Sequence, residues 1–174
     1  MNQRKKHSLI ILLSILLSWV VVCHASPQKE ITLTDFSKFH PASAISTEPI
    51  TNKWYLRFVP WADKGGTMLN IGAGFPEEIQ YDPKLKGRYD LYVGVHKVDG
   101  DSRFQIRVGS DTLLYTINVG RFKNKKYTKK ESSKEVLYAK NIKMDGEYIA
   151  LRCYGDRRVY IDYLKFTPAN PGSK

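Results

Sequence analysis

From Ile31 to Pro168 the apolar residues recur at every second position or in short β-branched and aromatic runs, and no long stretch repeats them at three and four. A chain patterned this way has strands to build with and no amphipathic helix to lay on them. The alternation predicts strands at Ile31–Leu33, Trp54–Val59, Thr67–Ile71, Tyr89–His96, Arg103–Val108, Leu113–Val119, Val136–Ile142, Tyr148–Tyr154 and Val159–Thr167. Turn chemistry separates them, at Asp99-Gly100, at Gly109-Ser110-Asp111, at Asp145-Gly146 and at Gly155-Asp156. Short strands at this spacing imply an all-β fold, an antiparallel sandwich or barrel. Two segments read as irregular, Thr34–Asn52 with Pro41 and Pro49, and Gly72–Gly87 with Pro76 and Pro83.

The N-terminus is patterned differently. Arg4, Lys5 and Lys6 precede an apolar run from Leu9 to Val22, and Cys23-His24-Ala25 ends it with small residues three and one positions before a cut after Ala25. This is the layout of a secretory signal peptide over residues 1–25. The uncharged stretch from Ser8 to Gln28 is just long enough to span a bilayer, but its short apolar core and cleavage-like end favour removal. Lipidation at Cys23 is the weaker alternative, because Val22 stands where a lipoprotein box wants a small residue. The expected product is secreted, periplasmic or envelope-associated. It would meet a membrane only through an uncleaved or lipidated N-terminus.

Residues 26–168 then form one domain, with 169–174 a tail or linker; the size suffices for a single core. Without the leader one cysteine remains, Cys153, so no internal disulfide staples the domain. Its alternation with Ile149 and Leu151 marks it as a small buried hydrophobe. The whole chain has 28 basic and 17 acidic residues, and it stays strongly basic when the three basic residues of the leader are removed. That balance suits acidic partners without selecting one. Much of it lies between Arg121 and Glu135, which hold seven basic and two acidic residues with Phe122 and Tyr127 among them. Such a run is a solvated loop or an anionic-polymer patch. Nucleic acid is the less expected target, and its binding would weaken steeply with salt.

On the strand at 89–96, Tyr89, Leu91, Val93 and Val95 take one face; Asp90, Tyr92, Gly94 and His96 take the other. The next strand offers Arg103, Gln105 and Arg107, and the two together predict a polar, aromatic-containing sheet surface. Near the first strands Trp54, Leu56 and Phe58 share a parity that predicts core. Trp61 follows Pro60 in a loop with Asp63, Lys64 and Gly65-Gly66. A loop Trp can cap the end of a sandwich; as a ligand contact it is also the best single candidate, since aromatic rings stack on the C–H faces of sugars.

Two strands carry a resemblance. Gly87-Arg88-Tyr89-Asp90-Leu91-Tyr92-Val93-Gly94 and the closing Tyr160-Ile161-Asp162-Tyr163-Leu164-Lys165-Phe166-Thr167-Pro168 resemble galactose-binding-like β-sandwiches, the jelly-roll form of many carbohydrate-binding modules of exported bacterial proteins. The resemblance covers Gly87 to Pro168 and rests mostly on core positions. It implies a jelly roll that binds polysaccharide or glycan without catalysis, and it aligns Asp162 with an aspartate that is as often structural as ligand-binding. The expected contacts are Trp61, Asp63, Tyr92, His96, Arg107 and Asp162. The calcium-binding carboxylates usual in such modules have no visible counterpart, because Glu30 and Asp35 are isolated, so no cofactor is expected. A structural or interaction domain of a larger exported polysaccharide-processing assembly is the alternative. No catalytic motif is visible: there is no Gly-x-Ser-x-Gly, His-Glu-x-x-His, Cys-x-x-Cys or phosphate loop. A carboxylate pair such as Glu77 with Asp90 is set by space and not by spacing, which leaves a glycosidase reading open.

Overall fold

The computed structural model describes residues 28–60, 62, 67–71, 74–98, 103–109, 113–118, 134–154 and 159–170. Residues 1–25, which the sequence leads one to expect as a leader, lie outside the described residues, as do Trp61, Asp63 and the basic run at 121–133. Among the described residues there are eleven strands: β1 Ile31–Leu33, β2 Ile45–Ser46, β3 Trp54–Phe58, β4 Thr67–Ile71, β5 Ile79–Tyr81, β6 Lys86–Val98, β7 Arg103–Val108, β8 Leu113–Asn118, β9 Lys134–Asp145, β10 Ile149–Tyr154 and β11 Val159–Pro168. Among the described residues the helical elements are two single 3-10 turns, Phe36–Lys38 and Ala42–Ala44.

The strands form two sheets. A seven-stranded sheet runs β2-β3-β4-β11-β6-β9, with β1 and β4 sharing one edge of β11. A four-stranded sheet runs β5-β10-β7-β8. All pairings are antiparallel except the short β2–β3 contact. The fold is therefore an all-β sandwich, as the alternation implies. Its core fills the space between the inner faces. Leu91, Leu69, Ile161, Leu164, Phe166 and Trp54 come from the larger sheet, and Ile79, Phe104, Ile106, Ile149 and Leu151 from the smaller. Each such side chain contributes about 1.5–3 kcal/mol on burial. Cys153 is buried within this core, as its alternation predicts.

The topology corrects one expectation. The polar faces of the consecutive strands β6 and β7 do not join into one surface. β6 pairs with β11 and β9, whereas β7 pairs with β10 and β8. Tyr89, Leu91, Val93 and Val95 of β6 and Phe104, Ile106 and Val108 of β7 share one core, so the two polar faces point away from each other. A second correction falls on β3. Trp54 is fully buried and Leu56 packs on the core, but Phe58 at the end of the strand is 71% exposed. Parity places Phe58 on the core side, but the packing does not reach it.

Two strands lie in segments that the sequence marks as irregular. β2 comes from the first, and β5 sits between Pro76 and Pro83 in the second. β5 matters more, because it forms one edge of the smaller sheet. Its register against β10 is fixed by Ile79 opposite Leu151 and Tyr81 opposite Ile149.

Candidate functional site

The outer face of the four-stranded sheet is built by strict alternation. On β10, Ile149, Leu151 and Cys153 point into the core, which turns Ala150 and Arg152 outward. Gln80 and Arg107 flank Ala150 in register, and Gln105 flanks Arg152. Ala150 is fully buried yet is not a member of the core cluster, so neighbouring side chains on the outer face cover it. Its single methyl leaves the space in which side chains from β5 and β7 meet across β10.

The meeting point is Glu78, just before β5. Its carboxylate accepts from the Arg107 guanidinium, accepts from Gln80 Nε2 at 3.0 Å, and lies 3.8 Å from Arg152 Nε. Arg107 also stands 5.7 Å from the centre of the Tyr148 ring, within range of a cation–π contact. The hydrogen bond to Glu78 holds the Arg107 guanidinium above its ordinary pKa, and burial opposes this. Two grooves open at the ends of this network. One of about 360 Å³ is lined by Phe75, Pro76, Glu77, Glu78, Arg152 and Cys153. The other, of about 290 Å³, is lined by His40, Gln80, Tyr81, Asp82, Gly146 and Tyr148.

Phe75 is the notable side chain of the first groove. It is 69% exposed. The segment that carries it is tied down at both ends. The Phe75 amide donates to Asn52 Oδ1 at 2.9 Å, and the buried Trp54 donates its indole N–H to the Glu77 carbonyl at 2.7 Å. An exposed ring on a fixed backbone, with a guanidinium and carboxylates beside it, offers one apolar plane and several directional polar groups. That combination suits a flat ligand with a C–H face and hydroxyls at its rim.

Of the residues predicted from sequence, Arg107, Tyr92 and Asp162 are described and stand apart from one another, and Trp61 and Asp63 lie outside the described residues. Arg107 lies in the network just described. Tyr92 lies on the outer face of the other sheet, with Lys165 Nζ 4.9 Å from its ring centre; there Lys165 and Tyr163 both donate to Glu135, at 2.6 and 2.9 Å. His96 falls in β6, its side chain outside the described parts. Asp162 is fully buried at a bulge, where Ile161 pairs with Val95 and Tyr163 with Gly94. That place suits the structural role. Of the carboxylates weighed for hydrolysis, Asp90 accepts from the Asn141 amide at 2.8 Å in the larger sheet, and Glu77 lines the groove beside β5. Asp90 belongs to the larger sheet, and Glu77 to the segment before β5. Among the described residues no three His, Cys, Asp or Glu side chains cluster in a way that would hold a metal ion. Sequence reasoning missed Phe75, Glu78, Tyr148 and Arg152. The signal for Phe75 was an aromatic residue between Gly74 and Pro76 in a loop.

No protein-family model and no curated protein matches the sequence. Among solved structures the chain is similar to part of the insecticidal crystal protein Cry2Aa, with a TM-score of 0.49 and 14% identity. The match covers 80% of this chain and 21% of that one, so the chain spans about a fifth of the protein it resembles.

Proposed function

We propose that the chain is an exported, non-catalytic carbohydrate-binding β-sandwich of the galactose-binding-like jelly-roll type, and that it grips polysaccharide on the outer face of its four-stranded sheet. The observation that carries this reading is Phe75, a 69% exposed ring on a backbone tied at both ends, beside a groove lined by Arg152 and Glu78. The ring stacks on the C–H face of a sugar. Arg152, its side chain about half exposed, donates to ring hydroxyls, and Glu77 accepts from them. Glu78 holds Arg107 and Arg152 at fixed separations, so the donors are ordered before the ligand arrives. We assign the stacking role to Phe75; Trp61, the loop aromatic expected from the sequence, lies outside the described residues. Export rests on the basic, apolar and small-residue layout of residues 1–25.

Affinity electrophoresis against neutral and acidic polysaccharides, backed by a glycan array, tests the reading. Wild-type protein should be retarded by at least one polysaccharide. Phe75→Ala and Arg152→Ala should lose that retardation while keeping the wild-type circular dichroism spectrum. A folded wild-type protein that binds nothing on either panel would sink the proposal.

A further inference from the structure

We propose that Asn52 is the positioning residue of the Phe75 platform: its side-chain carbonyl, filling the space that Gly74 leaves empty, sets where the exposed ring stands. The inference rests on the carbohydrate reading of the groove and adds a determinant from outside it. A ring that is 69% exposed has little packing to hold it, so its place is inherited from its own backbone. That backbone has one side-chain partner at the ring itself, the 2.9 Å bond from the Phe75 amide to Asn52 Oδ1.

Both sides of this contact are shaped for it. Asn52 adopts φ 61°, the left-handed region that asparagine tolerates better than most side chains. Gly74 adopts φ 85°, and a Cβ added there would stand 1.9 Å from Asn52 Oδ1. A residue with a side chain at 74 would be strained by its backbone and would also push the amide of Asn52 away. Two residues later the Trp54 indole anchors the Glu77 carbonyl. Asn52 and Trp54 both belong to the approach and start of β3, so one short stretch of chain clamps the platform at two points. Fixing a loop in its bound geometry removes an ordering cost from association. Asn52 therefore acts on affinity without touching the ligand.

The test uses the full chain and three variants, Phe75→Ala, Asn52→Gly and Asn52→Asp. Glycine keeps the left-handed backbone and removes the acceptor; aspartate keeps both. The probe is whichever polysaccharide of the panel retards wild-type protein most. Two quantities are read, the dissociation constant and the exchange rate of the Phe75 amide hydrogen. Asn52→Gly should speed that exchange about tenfold or more and weaken binding about fivefold, as expected for a lost acceptor and a loosened loop. Asn52→Asp should stay near wild type in both. If Asn52→Gly binds like wild type while Phe75→Ala does not, the role of Asn52 is overturned and the platform stands. If Asn52→Asp is as weak as Asn52→Gly, the acceptor is not the cause and the proposal falls. If Phe75→Ala binds like wild type, the platform reading itself fails and takes the Asn52 role with it.

Discussion

Substituting Gly94 by alanine tests the packing of the larger sheet at a single point. Gly94 lies in β6 opposite Tyr163 of β11. A Cβ there would meet Cε1, Cδ1 and Cζ of the Tyr163 ring at 2.3, 2.5 and 2.7 Å, where ordinary contact begins at 3.4 Å. The ring must retreat by about 1 Å, and a side chain with 4% of its surface exposed has little room to do so. Overpacking of this kind costs about 2 kcal/mol. Moving the ring also breaks the 2.9 Å bond from the Tyr163 hydroxyl to Glu135, a charged acceptor, for about 1.5 kcal/mol more. The stiffer unfolded chain returns about 0.7 kcal/mol. The net loss is about 3 kcal/mol, which at ~2 kcal/mol per molar of urea lowers the unfolding midpoint by about 1.5 M. Equilibrium urea unfolding followed by tryptophan fluorescence measures it. Tyr163→Leu supplies the control, since removing the ring should make the alanine nearly free of cost. A midpoint shift below about 0.3 M for Gly94→Ala, or an equal loss in the leucine background, would refute the close contact.

Two further outcomes follow from the charges. Glu78→Gln keeps the shape of the network but removes the charge between Arg107 and Arg152, both within 4 Å of it. It should lower the melting temperature by about 5 °C, and a change under about 1 °C would mean that the network is solvated. The Ser37 hydroxyl, with smaller help from the Ser37 amide and Lys38, holds the Asp35 carboxyl below its usual range. The folded state therefore favours the ionised form. Its contribution is present above the unfolded carboxylate value of ~3.9 and is lost as pH falls through the lower folded value. The urea-midpoint gap between wild type and Asp35→Asn should be open at neutral pH, small because the group is exposed, and should close below that window.

Much of the fold was legible because long strands advertise their inner faces. Tyr89, Leu91, Val93 and Val95 are all buried, as their alternation requires, and β4 and β7 fall on the predicted residues. Alternation says which residues face inward, however, and not which sheet they join. That is why β6 and β7 read as neighbours although the topology assigns them to different sheets. β5 escaped notice for a related reason. Three residues between two prolines carry too little pattern, and it is the register against β10 that makes them a strand. Phe58 shows the complementary failure, in which correct parity on a strand outruns the core that would cover it. The site was the least legible part. Glu78 draws its role from arginines on β7 and β10, 29 and 74 positions along the chain, and a methyl at Ala150 permits the meeting. No spacing rule encodes such a convergence.

The most direct test of the account is a map of amide chemical-shift changes as the tightest-binding polysaccharide is titrated into isotope-labelled protein. The account predicts that the changes gather at Phe75, Glu77, Glu78, Arg107, Tyr148 and Arg152, on the outer face of the four-stranded sheet. Changes centred on Tyr92 and Lys165 across the sandwich, with the Phe75 groove silent, would contradict it.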